Sequence, residues 1–108
     1  MNLLNLISFL REDRPERSEL AKHLPNTDFD QIDVYVEDAL SMEGEIHFFD
    51  AEAIPNELQI EIEGTKYVNI FPLSMMKEMI DEYIDVLGQT ISNKEVADRL
   101  LSYRINDA

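Results

Sequence analysis

Apolar residues near the start of the chain recur at helical spacing. In MNLLNLISFL the side chains of Leu3, Ile7 and Leu10 fall on one face, which predicts an amphipathic helix over about residues 2–11. The next segment, RPERSELAKHL, predicts a second helix with Pro15 in its first turn, where a missing N–H costs nothing. The Pro-Asn pair that follows is typical of a break in the chain.

The stretch DFDQIDVYVEDALSMEGE, residues 28–45, has two interpretations. Its apolar positions fit one face of a helix: Phe29, Ile32, Val36, Ala39 and Leu40. Every second residue from Ile32 to Val36 is also apolar, and valine and tyrosine favour strands, so residues 30–37 fit a strand as well. We favour a third helix over about residues 28–42, because the 3.6-residue pattern continues beyond Val36.

The middle of the chain has the two-residue period of strands. EIHFFD predicts one strand, and in LQIEIEG the apolar residues Leu58, Ile60 and Ile62 alternate with polar ones. Gly64 then supplies a turn, and KYVNIF returns as the second arm of a hairpin. We expect a short antiparallel sheet of two to three strands.

Two further helices are predicted after the hairpin. PLSMMKEMIDEYIDVLG favours a helix from Pro72 to Leu87 that ends at Gly88, and the last helix begins with a capping box from Ser92 to Glu95. The predicted architecture is α+β and forms a single compact domain over residues 1–108. It has three N-terminal helices, the short sheet with its hairpin about Gly64, and two C-terminal helices.

The negative charge of the chain is concentrated in its middle. The net charge is −14, and residues 23–65 carry twelve Asp or Glu with no Lys or Arg. Phosphates and anionic lipid surfaces would be repelled, so we expect no direct DNA or RNA binding and no membrane association. A field of one sign instead favours encounter with a basic protein.

Residue types and motifs that the sequence lacks constrain both the cellular location and the kinds of site that we expect. The absence of cysteine excludes disulfides and thiolate sites and fits a cytoplasmic location. The apolar run at the N-terminus is too short to span a bilayer, and no basic residue precedes it as in a signal peptide. His23 and His47 have no metal-ligand spacing, and DFDQID lacks the glycine and closing glutamate of a calcium loop.

Signatures of catalysis are also missing from the sequence. No serine follows the pattern of a nucleophile elbow, and the three glycines sit at turns or helix ends rather than in a phosphate-binding loop. We therefore expect no enzyme, no cofactor and no bound metal.

One segment resembles part of a known fold. SELAKHLPNTDFDQIDVYVEDALSMEGEIHFF resembles the helix-turn-helix and first wing strand of winged-helix domains, with a short helix, a turn, a longer helix, a glycine and a strand. The helix that would enter the major groove is acidic, whereas such helices use Arg, Lys, Asn or Gln toward DNA. The resemblance therefore implies a regulatory or assembly module that acts through protein contacts.

On the favoured helix Asp30, Asp33 and Glu37 are spaced i, i+3 and i+7 and form one acidic ridge. With their neighbours they give the predicted partner-binding residues: Asp30, Asp33, Val34, Glu37, Asp38, Glu43 and Glu45. Met75 and Met79 lie on an unusually broad apolar face, which predicts a second contact surface and a route to a homodimer. The function we expect is a non-enzymatic acidic binding protein, most simply a neutralising inhibitor. It would be an immunity protein for a basic toxin such as a nuclease, or a DNA mimic. The alternatives are a winged-helix-like regulatory or assembly module that acts through protein contacts, and an acidic face that is merely solvated.

Overall fold

The computed structural model describes residues 1–15 and 18–107, and within them the chain forms three α-helices and one four-stranded antiparallel sheet. The elements, in chain order, are α1 Leu3–Leu10, β1 Ile32–Glu37, β2 Ile46–Asp50, β3 Gln59–Ile62, β4 Thr65–Pro72, α2 Leu73–Leu87 and α3 Asn93–Asp107. The strand order is β2-β1-β4-β3. The α+β class and the two C-terminal helices are confirmed. The predicted group of three N-terminal helices is wrong, and the sheet has four strands rather than the two to three expected.

The predicted third helix is replaced by β1. Ile32, Val34 and Val36 alternate along this strand and are buried, so the two-residue period is the one that the fold uses. β1 lies at the centre of the sheet and pairs with β2 on one side and β4 on the other. The strand is followed by Asp38 with a φ of 74°, so Ala39 and its neighbours lie in a loop rather than on a helix. The helix of the winged-helix resemblance is therefore not formed.

The predicted second helix is also shorter than expected. The structure has a 3₁₀ helix at Glu19–His23, where the Ser18 hydroxyl accepts a hydrogen bond from the Leu20 amide at 3.1 Å. Leu24 is extended, as expected for a residue before proline, and this ends the helix after five residues. The predicted start of the helix includes Glu16 and Arg17, which lie outside the described residues.

The remaining boundaries follow local signals that the sequence contains. α1 begins after Asn2, whose side chain forms a reciprocal capping box with Asn5. α3 begins as predicted, because the Ser92 hydroxyl accepts a hydrogen bond from the Glu95 amide at 3.1 Å. α2 ends at Gly88, where a φ of 100° is accessible to glycine without strain.

The predicted hairpin about Gly64 is confirmed, although its first strand begins at Gln59 and Leu58, expected to point inward, is 60% exposed. β3 and β4 are joined by Glu63 and Gly64, which have φ values of 51° and 84°. Positive φ at both central residues defines a type I′ turn, whose twist matches that of the flanking strands. The turn fixes the register in which Ile60 faces Tyr67.

The main core lies between the three helices and one face of the sheet. All three helices and strands β1, β2 and β4 supply buried side chains to one continuous cluster. Its fully buried members include Leu3, Leu6, Ile7, Leu10, Val34, Val36, Ile70, Leu73, Met76, Ile80, Val96 and Leu100. The opposite face of the sheet, which we call the outer face, points away from the helices.

Candidate partner-binding surface

The outer face is defined by the cross-strand pairs of the central strand. Tyr35 of β1 lies opposite His47 of β2 and Asn69 of β4, while Glu37 lies opposite Tyr67. Directly paired residues in an antiparallel sheet project from the same face. The side chains that alternate with the buried ones in β1 therefore share the outer face with residues from β2 and β4.

Aromatic rings occupy the middle of the outer face. The Tyr35 and Phe49 ring centroids are 5.5 Å apart, and Phe49 and Tyr67 are 5.3 Å apart, both edge to face. The imidazole of His47 lies 4.9 Å from the Tyr67 ring. Ile60 is buried beside Tyr67, its cross-strand partner, and is not part of the main core. We call Tyr35, His47, Phe49, Ile60 and Tyr67 the outer-face cluster.

A loop crosses one side of this cluster. The Tyr35 hydroxyl donates a hydrogen bond to the Glu57 carbonyl at 3.1 Å, and Tyr35 is only 1% exposed. The backbone N–H of Asn69 donates a hydrogen bond to the Leu58 carbonyl at 2.9 Å, which holds the end of the loop against β4. His47, Phe49 and Tyr67 stay partly exposed, so the cluster presents aromatic surface to solvent beside the loop.

Three carboxylates surround Tyr35. Asp33 and Glu37 flank it on β1, and Glu57 lies above it on the loop; we call these three acids the acidic rim. Burial raises the pKa of Asp33 above its ordinary value. Burial also raises the pKa of Tyr35, the Asp33 carboxylate adds to that rise, and a hydrogen bond with Asn69 opposes it. Glu37 Oε1 lies 3.2 Å from His47 Nε2.

The structure separates the residues that the sequence analysis grouped on one helix. Asp33 and Glu37 share the outer face, whereas Asp30 lies in the 3₁₀ segment Phe29–Gln31 that precedes β1. Val34 is fully buried in the main core on the opposite face, so the prediction that it contacts a partner is wrong.

The other predicted acids lie in the loop between β1 and β2. Asp38 and Glu43 are exposed there. Glu45 is exposed as well, and its carboxylate accepts a hydrogen bond from the Met1 ammonium at 2.9 Å, which lowers the pKa of Glu45. These three acids extend the negative surface past the end of β1.

Met75 and Met79 line a separate groove between α2 and α3. The groove has a volume of about 360 Å³, and Tyr83 and Tyr103 form the rest of its apolar lining. Glu78 and Glu82 also line it, so its margin is acidic. The groove places the predicted second contact on the helical side of the molecule, away from the outer face.

No group of three or more His, Asp or Glu side chains in residues 1–15 and 18–107 is arranged to hold a metal ion. Within the same residues, no helix combines the length and apolarity needed to cross a membrane. No family model, curated protein or solved structure gives a match to this chain.

Tyr35, Phe49 and Tyr67 were not predicted as site residues. The signal was the alternation of aromatic residues with buried aliphatic ones in IDVYVE, IHFFD and TKYVNIFP. This signal has a meaning only in a strand, where Tyr35 lies on the face opposite Val34 and Val36. We interpreted residues 30–37 as a helix, in which these side chains do not fall on two opposite faces, and so did not recognise it.

Proposed function

We propose that this protein is a non-enzymatic binding protein whose outer face engages a basic protein. Its simplest role is that of a neutralising inhibitor. The partner would be a basic toxin such as a nuclease, bound by an immunity protein, or a DNA-binding protein, blocked by a DNA mimic.

The observation that carries the proposal is the coincidence of carboxylates and aromatic rings on the face of the sheet opposite the main core. Strands β1, β2 and β3 and the loops between them come from residues 23–65, the block with twelve acids and no Lys or Arg. A lysine or arginine can pair with a carboxylate and lie against an aromatic ring at the same time. Tyrosine and other aromatic residues are also common among the side chains that dominate binding energy.

The alternative is that the acids serve solubility alone. A solvated acidic face does not require aromatic rings, yet His47, Phe49 and Tyr67 remain partly exposed among the carboxylates. Such a patch of aromatic surface is more typical of a protein contact than of a face that only meets water. This contrast favours binding over simple solubility.

Paired affinity captures test the proposal. Wild-type protein and the triple variant Asp33→Asn, Glu37→Gln and Glu57→Gln are immobilised and exposed to lysate of the native cell at low salt. We expect a basic protein to bind the wild type, to elute with salt, and to be lost from the triple variant. For the isolated partner, the association rate constant should fall about tenfold or more in the triple variant at low salt.

A matched control removes the same charge elsewhere. The triple variant Glu12→Gln, Asp13→Asn and Asp98→Asn alters exposed acids outside the central block. It should retain capture and change the association rate much less, with circular dichroism confirming that both variants are folded. Equal loss in both variants would show that net charge alone attracts the partner, and retention in both would contradict the proposal.

The groove between α2 and α3 supports a second candidate function, assembly through protein contacts. Val86 on α2 is 73% exposed and lies one turn beyond Tyr83, so exposed apolar surface continues along α2 past the groove. If a homodimer forms through this face, the double variant Met75→Glu and Met79→Glu should be monomeric by sedimentation. A wild type that is already monomeric at high micromolar concentration would contradict this candidate.

A further inference from the structure

The outer face has a break in pairing beside Asp33. Asp33 lies opposite Pro72 and Tyr35 lies opposite Asn69, so β4 uses three residue steps where β1 uses two. This extra residue is a β-bulge, which bends the strand and disrupts the ladder locally. A pocket of about 190 Å³ opens at this place.

The lining of this pocket combines hydrogen-bonding groups with apolar surface. Two acids and two asparagines line it, Asp33, Glu57, Asn56 and Asn69, together with Leu58 and Pro72. The Tyr35 hydroxyl donates its proton to the Glu57 carbonyl, and its oxygen interacts with the Asn69 side chain, so this phenol already has partners within the protein. The pocket is smaller than the typical range of about 300–1,000 Å³ for small-molecule sites, so its size suits the head of one side chain.

Asp33 is the charged group that the pocket leaves uncompensated. It is half-buried, and none of the ion pairs among residues 1–15 and 18–107 includes it. Partial burial removes water from a carboxylate, which costs free energy unless a cation or a donor takes its place. A cation from a partner would supply that compensation.

The shape of the site favours a guanidinium over an ammonium. Arginine has a planar fork of N–H donors that can meet a carboxylate and further acceptors together, and it is less strongly hydrated than lysine. Phe49 of β2 is the cross-strand neighbour of Asp33, so an aromatic residue lies beside this carboxylate on the outer face. Guanidinium groups stack readily on such rings.

We propose that this pocket, the Asp33 pocket, accepts one arginine side chain of the basic partner. The inference rests on the proposed function and adds the chemistry by which the partner is recognised. The acidic rim would attract the partner from a distance, while the pocket would select a single arginine and set the orientation of the complex.

The direct test uses a small probe in place of the unknown partner. N-acetyl-arginine-methylamide is titrated into the protein while backbone amide resonances are followed by NMR, with N-acetyl-lysine-methylamide in parallel. We expect saturable shifts at Asp33, Tyr35 and Asn69 with the arginine probe. The lysine probe should bind several-fold more weakly, because it cannot form the bidentate contact.

Two variants and one control locate the binding. Asp33→Asn keeps the shape of the side chain and should weaken the arginine probe about tenfold, as for loss of one partner in a desolvated ion pair. Glu57→Gln, in the exposed loop, should also weaken it and provides a second variant that does not alter the sheet. Glu63→Gln removes the same charge from the exposed turn between β3 and β4, outside the pocket, and should change affinity by less than about twofold.

The outcomes separate this inference from the proposed function. Equal affinity for both probes, or shifts spread over the acidic surface and insensitive to Asp33→Asn, would overturn the pocket while leaving capture of a basic partner untouched. Specific arginine binding without any captured basic protein would leave the pocket standing and remove the proposed function.

Discussion

The phenol of Tyr35 lies on the outer face of β1 yet is almost completely buried, and its hydroxyl donates a hydrogen bond to the backbone carbonyl of Glu57 at 3.1 Å. This contact joins the central strand to a residue 22 positions away. The loop over the outer face is therefore held by a side chain of the proposed site itself.

Tyr35→Phe should loosen that loop. Removing the hydroxyl deletes one hydrogen bond and should lower the free energy of unfolding by about 1 kcal/mol. Amide hydrogen exchange should accelerate in residues 51–58 more than in α2 or α3, because the loop loses its tie to the sheet. Chemical denaturation measures the first effect and exchange by NMR the second. An unchanged exchange rate in the loop would show that other contacts hold it.

Val34→Ala should weaken the fold rather than binding. Val34 is fully buried between the sheet and the helices, so its truncation leaves a cavity and should cost about 2 kcal/mol. The matched control is Val86→Ala, the same chemical change at a side chain that is 73% exposed, which should cost within about 0.5 kcal/mol. Equal destabilisation in urea would contradict the assignment of Val34 to the core.

Arg11→Lys should destabilise the packing of the first and last helices. The Arg11 guanidinium follows α1 and donates to the carbonyls of Ile91 at 2.6 Å and Gln89 at 2.9 Å, and to the Asn93 side chain at 2.9 Å. Lysine keeps the charge but cannot reproduce this fork, so we expect a loss of about 2 kcal/mol in unfolding free energy. Arg14→Lys, at an exposed position, is the control. A loss no larger than that control would show that charge alone is needed at position 11.

The pH dependence of the unfolding free energy should reveal that the partial burial of the Asp33 carboxylate is unfavourable. Its pKa is raised in the folded state by burial, so the ionised carboxylate costs stability above that pKa, and the cost disappears as the pH falls through it. Asp33→Asn should therefore be more stable than the wild type at neutral pH, and the difference should shrink on acidification. Urea unfolding of both proteins at neutral and acidic pH measures this. A difference that grows as the pH falls would contradict the sign.

The accuracy of the sequence analysis differed between local and long-range features. Caps and turns are set by neighbouring residues, so the start of α3 at Ser92 and the hairpin at Gly64 were predicted correctly. β1 was predicted wrongly because Ile32 and Val36 satisfy both a helical and a strand period, and pairing with β2 and β4 decides between them. That pairing is not visible in the segment itself.

Prediction of the candidate site depended on the same choice between helix and strand for β1. The acidic block was evident from composition, and it includes Asp33 and Glu37 of the outer face. The neighbours of these acids could not be predicted, since Tyr35 meets Phe49 and Tyr67 only after three strands are assembled. The bulge that opens the Asp33 pocket is likewise a property of the register between β1 and β4.

The strand order β2-β1-β4-β3 has a consequence for aggregation. Its two edge strands, β2 and β3, both come from the block without Lys or Arg, and Glu61 lies within β3 while Glu57 and Glu63 lie close to its ends. An exposed strand edge is a template for pairing with another chain, and like charges along it oppose such pairing. Repulsion between copies thus opposes edge-to-edge pairing at neutral pH. This repulsion weakens as the pH approaches the isoelectric point of about 4.2.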